Sequence, residues 1–477
     1  MTSPGSRLLK LYNRSPFFVQ DVLASSLGLK KLLVERGPAF RRVLQELLAS
    51  QWWSRERLRE LQIERLRKML RFAQQHVPLY RKRFAEYGVS WNQVQSLEDL
   101  GKFPILTRED LRIHRRDLVP EVKSRSRIIA QSTSGSSGTP LEILCDHITY
   151  VTEKAWIARH RSWGGYDPRA WRATFNGHKI VPVNRKKPPF WRFNLPWRQI
   201  HFSIYHMSEE QLPLYINALR VNNVAFLDGY ASAIYILARY LLATGQTLPM
   251  KAIFTGSEPL YATYRDAIET AFACKVYDYY GLTEKVVSAG ECEQHSGFHV
   301  AMEHVVAEIL PLDAKNAGQT DAVGELVGTS LTNTAMPFIR YRTGDVTYPC
   351  PPRCPCGRGL ETIGEAKTKS MGIVVCPDGR HLAPIGVCFN IAYVHTVHEY
   401  QVIQKSLTDI LIRVVRRSDY RQADEVRVLD GLREPLGPGM NVRIEYVDEI
   451  PRGAAGKYPL LVSEVSSDLL GPAYGQA

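Results

Sequence analysis

Residues 251–281 read KAIFTGSEPLYATYRDAIETAFACKVYDYYG, and this stretch decides the fold class. It holds an apolar run, then a helical pattern through YATYRDAIETAFA, then a second run of β-branched and aromatic residues. Short strand patterns that alternate with helical patterns are typical of layered α/β proteins with a largely parallel sheet. The alternation begins at about residue 128, so we predict an α/β fold for the central part of the chain.

The flanking regions differ from this centre. Residues 54–77 form the clearest helix, with Ser54 as its N-cap and Pro78 as its stop signal. After about residue 364, the strand patterns DILIRVV and NVRIEYV surround a helical stretch at 419–433, which indicates a small α+β domain. Residues 181–199 are rich in proline, aromatic and basic residues, and we predict an exposed loop there.

Composition excludes several classes of protein. Of 477 residues, 44% are hydrophobic and 23% are charged, which is typical of a folded globular protein and excludes general disorder. No run of about 20 apolar residues could span a bilayer. The N-terminal stretch lacks the apolar region of a secretory signal, and only the cysteines at 350–356 are clustered, so we expect a cytoplasmic protein. The net charge of +13 suggests an anionic partner, which could be a nucleotide, a cofactor phosphate, a membrane surface or a nucleic acid.

The most informative short segment is QSTSGSSGTP at residues 131–140. Two glycines among small hydroxyl residues let a backbone approach a phosphate closely and offer N–H and O–H donors. The segment is not a Walker A loop, because no Lys-Ser/Thr follows its second glycine. Taken alone, a Ser/Gly-rich stretch is more often a flexible turn.

Further motifs follow in order: GSE at 256–258, YYGLTE at 279–284, YRTGD at 341–345 and GK at 456–457. Together with the Ser/Gly loop they resemble the adenylate-forming superfamily of acyl-CoA synthetases, adenylation domains and luciferases. Within it the chain is similar to the phenylacetate–CoA ligase family and its CapK-type branch, through SQWWSRERLRELQ at 50–62 and CPCGR at 354–358.

The resemblance implies a large N-terminal adenylate-forming domain of layered α/β sheets, residues 1–364, whose helical N-terminal region covers about 1–127. It also implies a small mobile α+β C-terminal domain, residues 365–477. The implied activity is ATP-dependent activation of a carboxylic acid as an acyl-adenylate, with release of pyrophosphate and transfer of the acyl group to CoA.

The resemblance also implies a role for the residues of each motif. The loop cradles the ATP phosphates; its residues are Ser132, Thr133, Ser134, Gly135, Ser136, Ser137, Gly138 and Thr139. The adenine is lined by Gly256, Ser257, Glu258, Tyr279, Tyr280 and Gly281.

Four further residues complete the catalytic set that the resemblance implies. Thr283 holds the α-phosphate, and Glu284 binds Mg²⁺, a hard cation that prefers oxygen ligands. Asp345 accepts hydrogen bonds from the ribose hydroxyls. Lys457 bridges the carboxylate and the α-phosphate. From the residues alone, Asp345 capping a β-turn and Lys457 as a solvated surface lysine remain open.

The resemblance also implies that the acid pocket is built at Phe226, Gly229 and Tyr230, and we expect His178 to face the same cleft. The two aromatic residues could equally be core residues, and a lone histidine is more often hydrogen-bonded scaffold.

A zinc site is implied by segments that match those of relatives. Cys292, His299, Cys354 and Cys356 would form a closed structural Cys₃His set, with His295 and Cys350 as competing ligands. The alternative is ordinary buried thiols near a turn.

The acyl acceptor stays open. The usual hinge motif Gly-Arg-x-x-Asp is replaced by Gly364-Glu365-Ala366-Lys367-Thr368-Lys369-Ser370, which departs from the pattern tied to thioester formation. An amine or hydroxyl acceptor in polysaccharide or natural-product biosynthesis is the alternative to CoA, and a nucleotide-binding scaffold with reduced activity is another.

The basic and aromatic residues at 185–198 could hold an anionic acceptor, contact a membrane surface peripherally, or form a solvated loop. No nucleic acid is expected as a partner, since that reading rests on charge alone.

Overall fold

The computed structural model describes most of the chain. The described residues are 12, 15–122, 126–132, 142–178, 180–182, 185–207, 210–257, 259–311, 323–351, 353–366, 368–369, 374–377, 381–382, 391, 394, 396–437, 439–451, 459 and 461–465. Within these ranges, no helix combines the length and the apolarity needed to cross a membrane.

Helices precede, flank and follow the sheets. Their bounds are α1 Phe17–Glu35, α2 Pro38–Ser50, α3 Arg55–His76, α4 Pro78–Glu86, α5 Arg108–Ile113, α6 His147–Trp163, α7 Leu212–Val221, α8 Ala231–Ala243, α9 Ala262–Phe272 and α10 Gln422–Leu436. The predicted helix at 54–77 is α3: the Ser54 side chain caps it by accepting the backbone N–H of Arg57 at 3.3 Å. Pro78 ends this helix and begins α4 at once, where its missing N–H leaves no bond unmade.

A nine-stranded sheet forms the centre of the described chain, in the order β14-β10-β9-β8-β7-β6-β3-β5-β4. Strands β5, β3, β6, β7 and β8 run parallel, and antiparallel strands flank them. The strands are β3 Trp171–Asn176, β4 Trp191–Asn194, β5 Gln199–Ser203, β6 Val224–Gly229, β7 Ala252–Gly256, β8 Val276–Gly281, β9 Ser288–Glu291, β10 Phe298–Val300 and β14 Thr362–Ile363. The predicted strand–helix–strand unit at 251–281 is β7-α9-β8, which confirms the α/β fold class.

The remaining strands form smaller sheets. β1 Ile128–Ser132 pairs with β2 Glu142–Asp146, and a four-stranded sheet consists of β11 Val305–Pro311, β12 Gly324–Ser330, β13 Tyr341–Thr347 and β15 Thr368–Lys369. The C-terminal part contains β16 Val374–Val375, β17 His381–Leu382, β18 Val397–Gln404, β19 Asp409–Arg416, β20 Asn441–Tyr446 and β21 Leu461–Ser463. With α10, these strands form the predicted α+β unit. β15 pairs with β13 beyond the proposed boundary at 364, and that boundary stays a prediction.

The prediction of an exposed loop at 181–199 is wrong for its second half. Residues Trp191–Asn194 form β4, the edge strand of the nine-stranded sheet, and a 3₁₀ turn at Leu195–Trp197 leads to β5. The Arg192 side chain is fully buried and donates from Nε to Gln20 Oε1 at 2.6 Å. Arg192 is therefore engaged in the fold and is not available to an anionic acceptor.

Candidate active site

The candidate site forms where β7 and β8 end. Gly256 is the last residue of β7 and pairs with Tyr279 of β8, and Gly281 is the last residue of β8. Ligands of open α/β sheets bind beyond the carboxyl ends of parallel strands. Ser257 is exposed at this edge and turns the chain with a φ of 66°. Gly256 and Ser257 of the GSE motif therefore lie beside the YYGLTE motif at one end of the sheet.

A hydrogen bond joins this edge to the four-stranded sheet. The Tyr280 hydroxyl donates to Asp345 Oδ2 at 2.6 Å, and Asp345 lies on β13. Burial and the neighbouring Asp345 carboxylate raise the pKa of Tyr280, which keeps its hydroxyl protonated as a donor. Asp345 is part of a strand, so the alternative in which it only caps a β-turn does not hold.

A second contact joins the same two motifs. The Tyr341 hydroxyl donates to Glu284 Oε1 at 3.3 Å, and both side chains are buried. Burial and the Glu284 carboxylate raise the pKa of Tyr341, so the phenol stays neutral. Thr283, next to Glu284, is half-buried. The predicted ribose and metal carboxylates, Asp345 and Glu284, are thus linked to the facing motif by one tyrosine each.

The two predicted adenine tyrosines point to opposite faces of β8, because side chains alternate along a strand. Tyr280 reaches Asp345, whereas the Tyr279 ring packs edge-on against Trp156 and His160 of α6. The Tyr279 ring also lies over Gly256, where a Cβ atom would be only 2.7 Å from a ring carbon. The structure therefore separates the two rings, and Tyr279 is wedged between α6 and β7.

One ion pair beside the site was missed by the sequence analysis. Lys285 follows Glu284 directly, and its Nζ lies 2.5 Å from Oε1 of Glu153 on α6. Burial raises the pKa of Glu153, but the ammonium groups of Lys154 and Lys285 outweigh it and lower that pKa overall. The sequence feature that could have indicated this ion pair is Lys285 directly after the motif glutamate Glu284. The pair fixes the backbone that presents Glu284.

The predicted acid-pocket residues fall into two places. The Tyr230 hydroxyl lies over Gly177, 3.1 Å from where a Cβ atom would stand, and His178 is the next residue. Gly229 makes the turn out of β6 with a φ of 144°, which lets the Tyr230 N–H donate to Phe175 O at 2.8 Å. The structure thus brings Tyr230 beside the Gly177–His178 segment.

Phe226 lies apart from this group. It is fully buried and packs against Tyr166 and Phe254, as a core residue does. Asp228, two residues further on, is buried and forms ion pairs with Arg161 and Arg172 at 2.6 and 3.1 Å. These two guanidinium groups lower the pKa of Asp228 although burial opposes them. This charged group was not identified from the sequence.

Three thiols and one imidazole converge elsewhere in the chain. The ligand atoms of Cys292, His299, Cys354 and Cys356 lie within 4.8 Å of one another. Cys292 Sγ is 3.6 Å from Cys354 Sγ, and Cys356 Sγ is 3.4 Å from His299 Nε2. Burial and the neighbouring Arg358 lower the pKa of His299 to about 4, so its ring is neutral. A neutral imidazole and three thiols are a donor set that fits tetrahedral Zn²⁺.

The competing ligands lie outside this cluster. His295 contacts the Glu291 carboxylate at 3.5 Å, and the Cys350 thiol lies beside Gly297. Several predicted site residues lie outside the described residues, namely Thr133, Ser134, Gly135, Ser136, Ser137, Gly138, Thr139, Glu258 and Lys457. Ser132 ends β1.

The fold is similar to that of adenylate-forming CoA ligases. The chain aligns with 2-hydroxyisobutyryl-CoA ligase in the postadenylation state in complex with R3-HIB-AMP, with a TM-score of 0.64, 20% identity, and coverage of 84% of this chain and 89% of that one. A structure of that ligase with 2-HIB-AMP and CoA in the thioesterification state aligns with a TM-score of 0.53 over 88% of this chain and 92% of that chain, at 20% identity.

Sequence comparisons narrow the relationship. Residues 374–464 match the CapK C-terminal domain. The chain is 24% identical to protein CapK of Staphylococcus aureus over 95% of this chain and 99% of CapK. It is 26% identical to the phenylacetate–coenzyme A ligase of Thermus thermophilus over 84% of this chain and 96% of that ligase. Its homologues thus include CapK and phenylacetate–CoA ligases, as the motifs predicted.

Proposed function

We propose that this protein is an ATP-dependent ligase that activates a carboxylic acid. A carboxylate oxygen of the acid attacks the α-phosphorus of ATP, and the bond to the bridging oxygen breaks. Acyl-AMP forms and pyrophosphate leaves with the electron pair. In a second step the sulfur of CoA attacks the acyl carbonyl, AMP leaves, and a thioester forms. The relatives named as CoA ligases support this chemistry.

The observation that carries the proposal is the meeting of YYGLTE with YRTGD. Asp345 of β13 and Glu284 of the turn between β8 and β9 are buried carboxylates that lie at the carboxyl edge of β7 and β8. In-line attack needs positioning and charge neutralisation more than covalent help from the protein. Asp345 would hold the ribose hydroxyls in place of Tyr280, and Glu284 would hold Mg²⁺, which neutralises phosphate charge.

Other assigned roles are part of the proposal. The Ser/Gly loop would bind the β- and γ-phosphates, and Lys457 would neutralise the reacting carboxylate and α-phosphate. Tyr230 and His178 would border the acid. Cys292, His299, Cys354 and Cys356 would hold a structural Zn²⁺ that ties two distant segments together. Use of ATP and CoA fits a cytoplasmic location, which stays a prediction.

An amine or hydroxyl acceptor is the second candidate. Two features favour it: the altered hinge at residues 364–370, and the match of the C-terminal segment to the CapK C-terminal domain. If it holds, adenylation is retained and CoA does not accelerate AMP release. Mass spectrometry of the products formed with and without CoA separates the two candidates, because only the first yields an acyl-CoA.

Pyrophosphate release from ATP, Mg²⁺ and a panel of aryl and alkyl acids tests the proposal, with hydroxylamine as surrogate acceptor. Lys457→Ala and Glu284→Ala are expected to lower acid-dependent release by at least about a hundredfold. The matched controls are Lys405→Ala, an exposed lysine of the C-terminal part, and Glu121→Ala, an exposed glutamate paired with Arg81. Equal activity in the site variants and the controls would remove the mechanism.

A further inference from the structure

The first long helix, α1, exposes its apolar side, whereas an ordinary surface helix buries that side. Its outer face, defined as Phe18, Val22, Leu23, Leu27, Leu29 and Leu33, is exposed to solvent. Leu27 and Leu33 each keep about 70% of their surface exposed, at 70% and 71%. A surface helix normally buries its apolar side and exposes its polar side. The outer face of α1 thus lacks apolar cover within the described chain.

The inner face of α1 is polar and small, and it is fixed to β4 and the turn that follows. Asp21 Oδ1 accepts the Phe193 N–H at 3.0 Å, and Ser25 Oγ accepts the Leu195 N–H at 3.2 Å. Gly28 O accepts the Trp197 indole N–H at 2.8 Å. These polar contacts fix the rotation of the helix about its axis, so its apolar side faces outward.

Gly28 makes the close approach achievable. A Cβ atom at this position would stand 2.0 Å from Oδ1 of Asn194, so any larger residue would have to displace the Asn194 side chain or the helix. Gln20 is fully buried and donates to Tyr12 O at 2.7 Å while it accepts from Arg192. The orientation of α1 is therefore determined at both ends of its inner face.

The charged residues near α1 indicate what kind of partner its outer face would bind. Between residues 15 and 42 there are two acidic residues, and both are engaged inside the protein: Asp21 binds β4, and buried Glu35 accepts from the Tyr150 hydroxyl. Lys31, Arg41 and Arg42 are exposed. Lys31 lies 3.5 Å from the Glu35 carboxylate and Arg42 lies 3.9 Å from that of exposed Glu46, so exposed cations outnumber exposed carboxylates here. An apolar helix face with this excess of basic neighbours matches an anionic lipid surface, where apolar side chains enter the acyl region and cations meet the headgroups.

We propose that the outer face of α1 docks this protein on an anionic membrane surface, with the helix axis in the plane of the interface. The helix lies on the bilayer and does not cross it, since it is too polar on its inner face to span lipid. This inference stands apart from the proposed ligase function, because it depends only on α1 and its neighbours.

Vesicle co-sedimentation of the full-length chain tests the proposal. Vesicles of phosphatidylcholine with about 30% phosphatidylglycerol are compared with vesicles of phosphatidylcholine alone. We expect the protein to sediment with the anionic vesicles at least about tenfold more strongly. The variant Leu27→Gln/Leu33→Gln is expected to lower that binding at least about tenfold, because it removes two leucines from the apolar phase.

Matched controls isolate the face and the charge. Val221→Gln/Ile113→Gln removes two apolar side chains that are 64% and 66% exposed elsewhere, and we expect unchanged binding. Arg41→Gln/Arg42→Gln is expected to weaken only the part of binding that depends on phosphatidylglycerol, whereas Lys68→Gln/Lys82→Gln on α3 and α4 leaves it unchanged. Thermal melting of each variant verifies that it folds.

Two results would overturn the proposal. One is a protein that stays in the supernatant with both kinds of vesicle. The other is a dimer, seen by size exclusion with light scattering, that Leu27→Gln/Leu33→Gln converts to a monomer while vesicle binding is absent. That second result would assign the outer face to a second copy of the chain.

Discussion

The Tyr280 hydroxyl donates a 2.6 Å hydrogen bond to the carboxylate of Asp345, 65 residues further along the chain. The bond joins two sheets, since Tyr280 is the residue before the end of β8 and Asp345 lies on β13. A nucleotide ribose that binds Asp345 competes for the same oxygen. ATP binding is therefore expected to exchange an internal hydrogen bond for one to the ligand.

The first prediction concerns Asp345. Asp345→Asn replaces one acceptor oxygen with a donor and removes the charge, so we expect the KM for ATP to rise about tenfold or more. Tyr280→Phe keeps the ring and frees the carboxylate from its internal donor, so its KM for ATP is expected to fall or stay the same. Initial-rate pyrophosphate assays measure both. Asp117→Asn, at an exposed position, is the control. If its KM for ATP rises as much as that of Asp345→Asn, the prediction is contradicted.

The second prediction concerns Glu284 and Tyr341. Glu284→Gln is expected to lower kcat by at least about a hundredfold, because an uncharged amide binds Mg²⁺ poorly. Tyr341→Phe removes a hydroxyl that only positions Glu284, so we expect a loss of about tenfold or less. If a higher Mg²⁺ concentration partly restores Tyr341→Phe, the positioning role is supported. An unchanged Mg²⁺ dependence in both variants would argue against a metal role for Glu284.

The third prediction concerns the cysteine–histidine cluster. Protein purified without chelators is expected to contain one equivalent of zinc, measured by plasma mass spectrometry. Cys356→Ser is expected to lose most of the metal and to melt at a lower temperature, since a structural metal contributes to folding. Cys274→Ser, a thiol outside the cluster, should retain both the metal and the melting temperature. The zinc assignment would be refuted if the protein purified without chelators contained no metal and if Cys356→Ser melted at the same temperature as the parent.

The fourth prediction concerns pH and stability. Burial lowers the pKa of His160 to about 3 and that of His304 to about 4, whereas both rings titrate near 6.5 in the unfolded chain. Below about pH 6.5 the unfolded state therefore binds more protons. The two buried neutral rings therefore make their full contribution to stability above that pH. The free energy of unfolding falls as the pH drops toward 4, by up to about 1.4 kcal/mol per pH unit for each ring.

Urea unfolding between about pH 7 and pH 4 measures this dependence. The His304→Leu variant lacks one of the buried rings, so its stability should fall less steeply with acid. Parallel curves for His304→Leu and the parent would show that the buried ring does not contribute.

The sequence was informative where local signals agree with tertiary packing. The helix at 54–77 was found because Ser54, the apolar stripe and Pro78 all indicate the same bounds. Glu284 and Asp345 were chosen as site residues from their motifs, and their roles stay predictions. The hydrogen bonds that Tyr341 and Tyr280 make to them were not predicted. A hydrogen bond between residues 65 positions apart depends on sheet packing, which no local pattern encodes.

Two features of the N-terminal half depend on how α1 packs against β4. Composition predicted a loop at 181–199, yet four of these residues form β4, because α1 covers them and buries Arg192. Helix α1 lies inside the helical N-terminal region predicted at about 1–127, but its orientation was not predicted, since periodicity locates an apolar face without telling whether that face points inward. Its inner contacts come from Asp21, Ser25 and Gly28, residue types that usually indicate turns.

The seating of α1 on β4 has a consequence for solubility. β4 ends the nine-stranded sheet, and an unprotected terminal strand invites strand addition by another molecule. The Asp21 carboxylate and the Ser25 hydroxyl occupy the Phe193 amide, the Phe193 carbonyl and the Leu195 amide, three groups that a tenth strand would otherwise recruit. Removing this helix would open a template for polymerisation, and the chain that remained would be prone to aggregate.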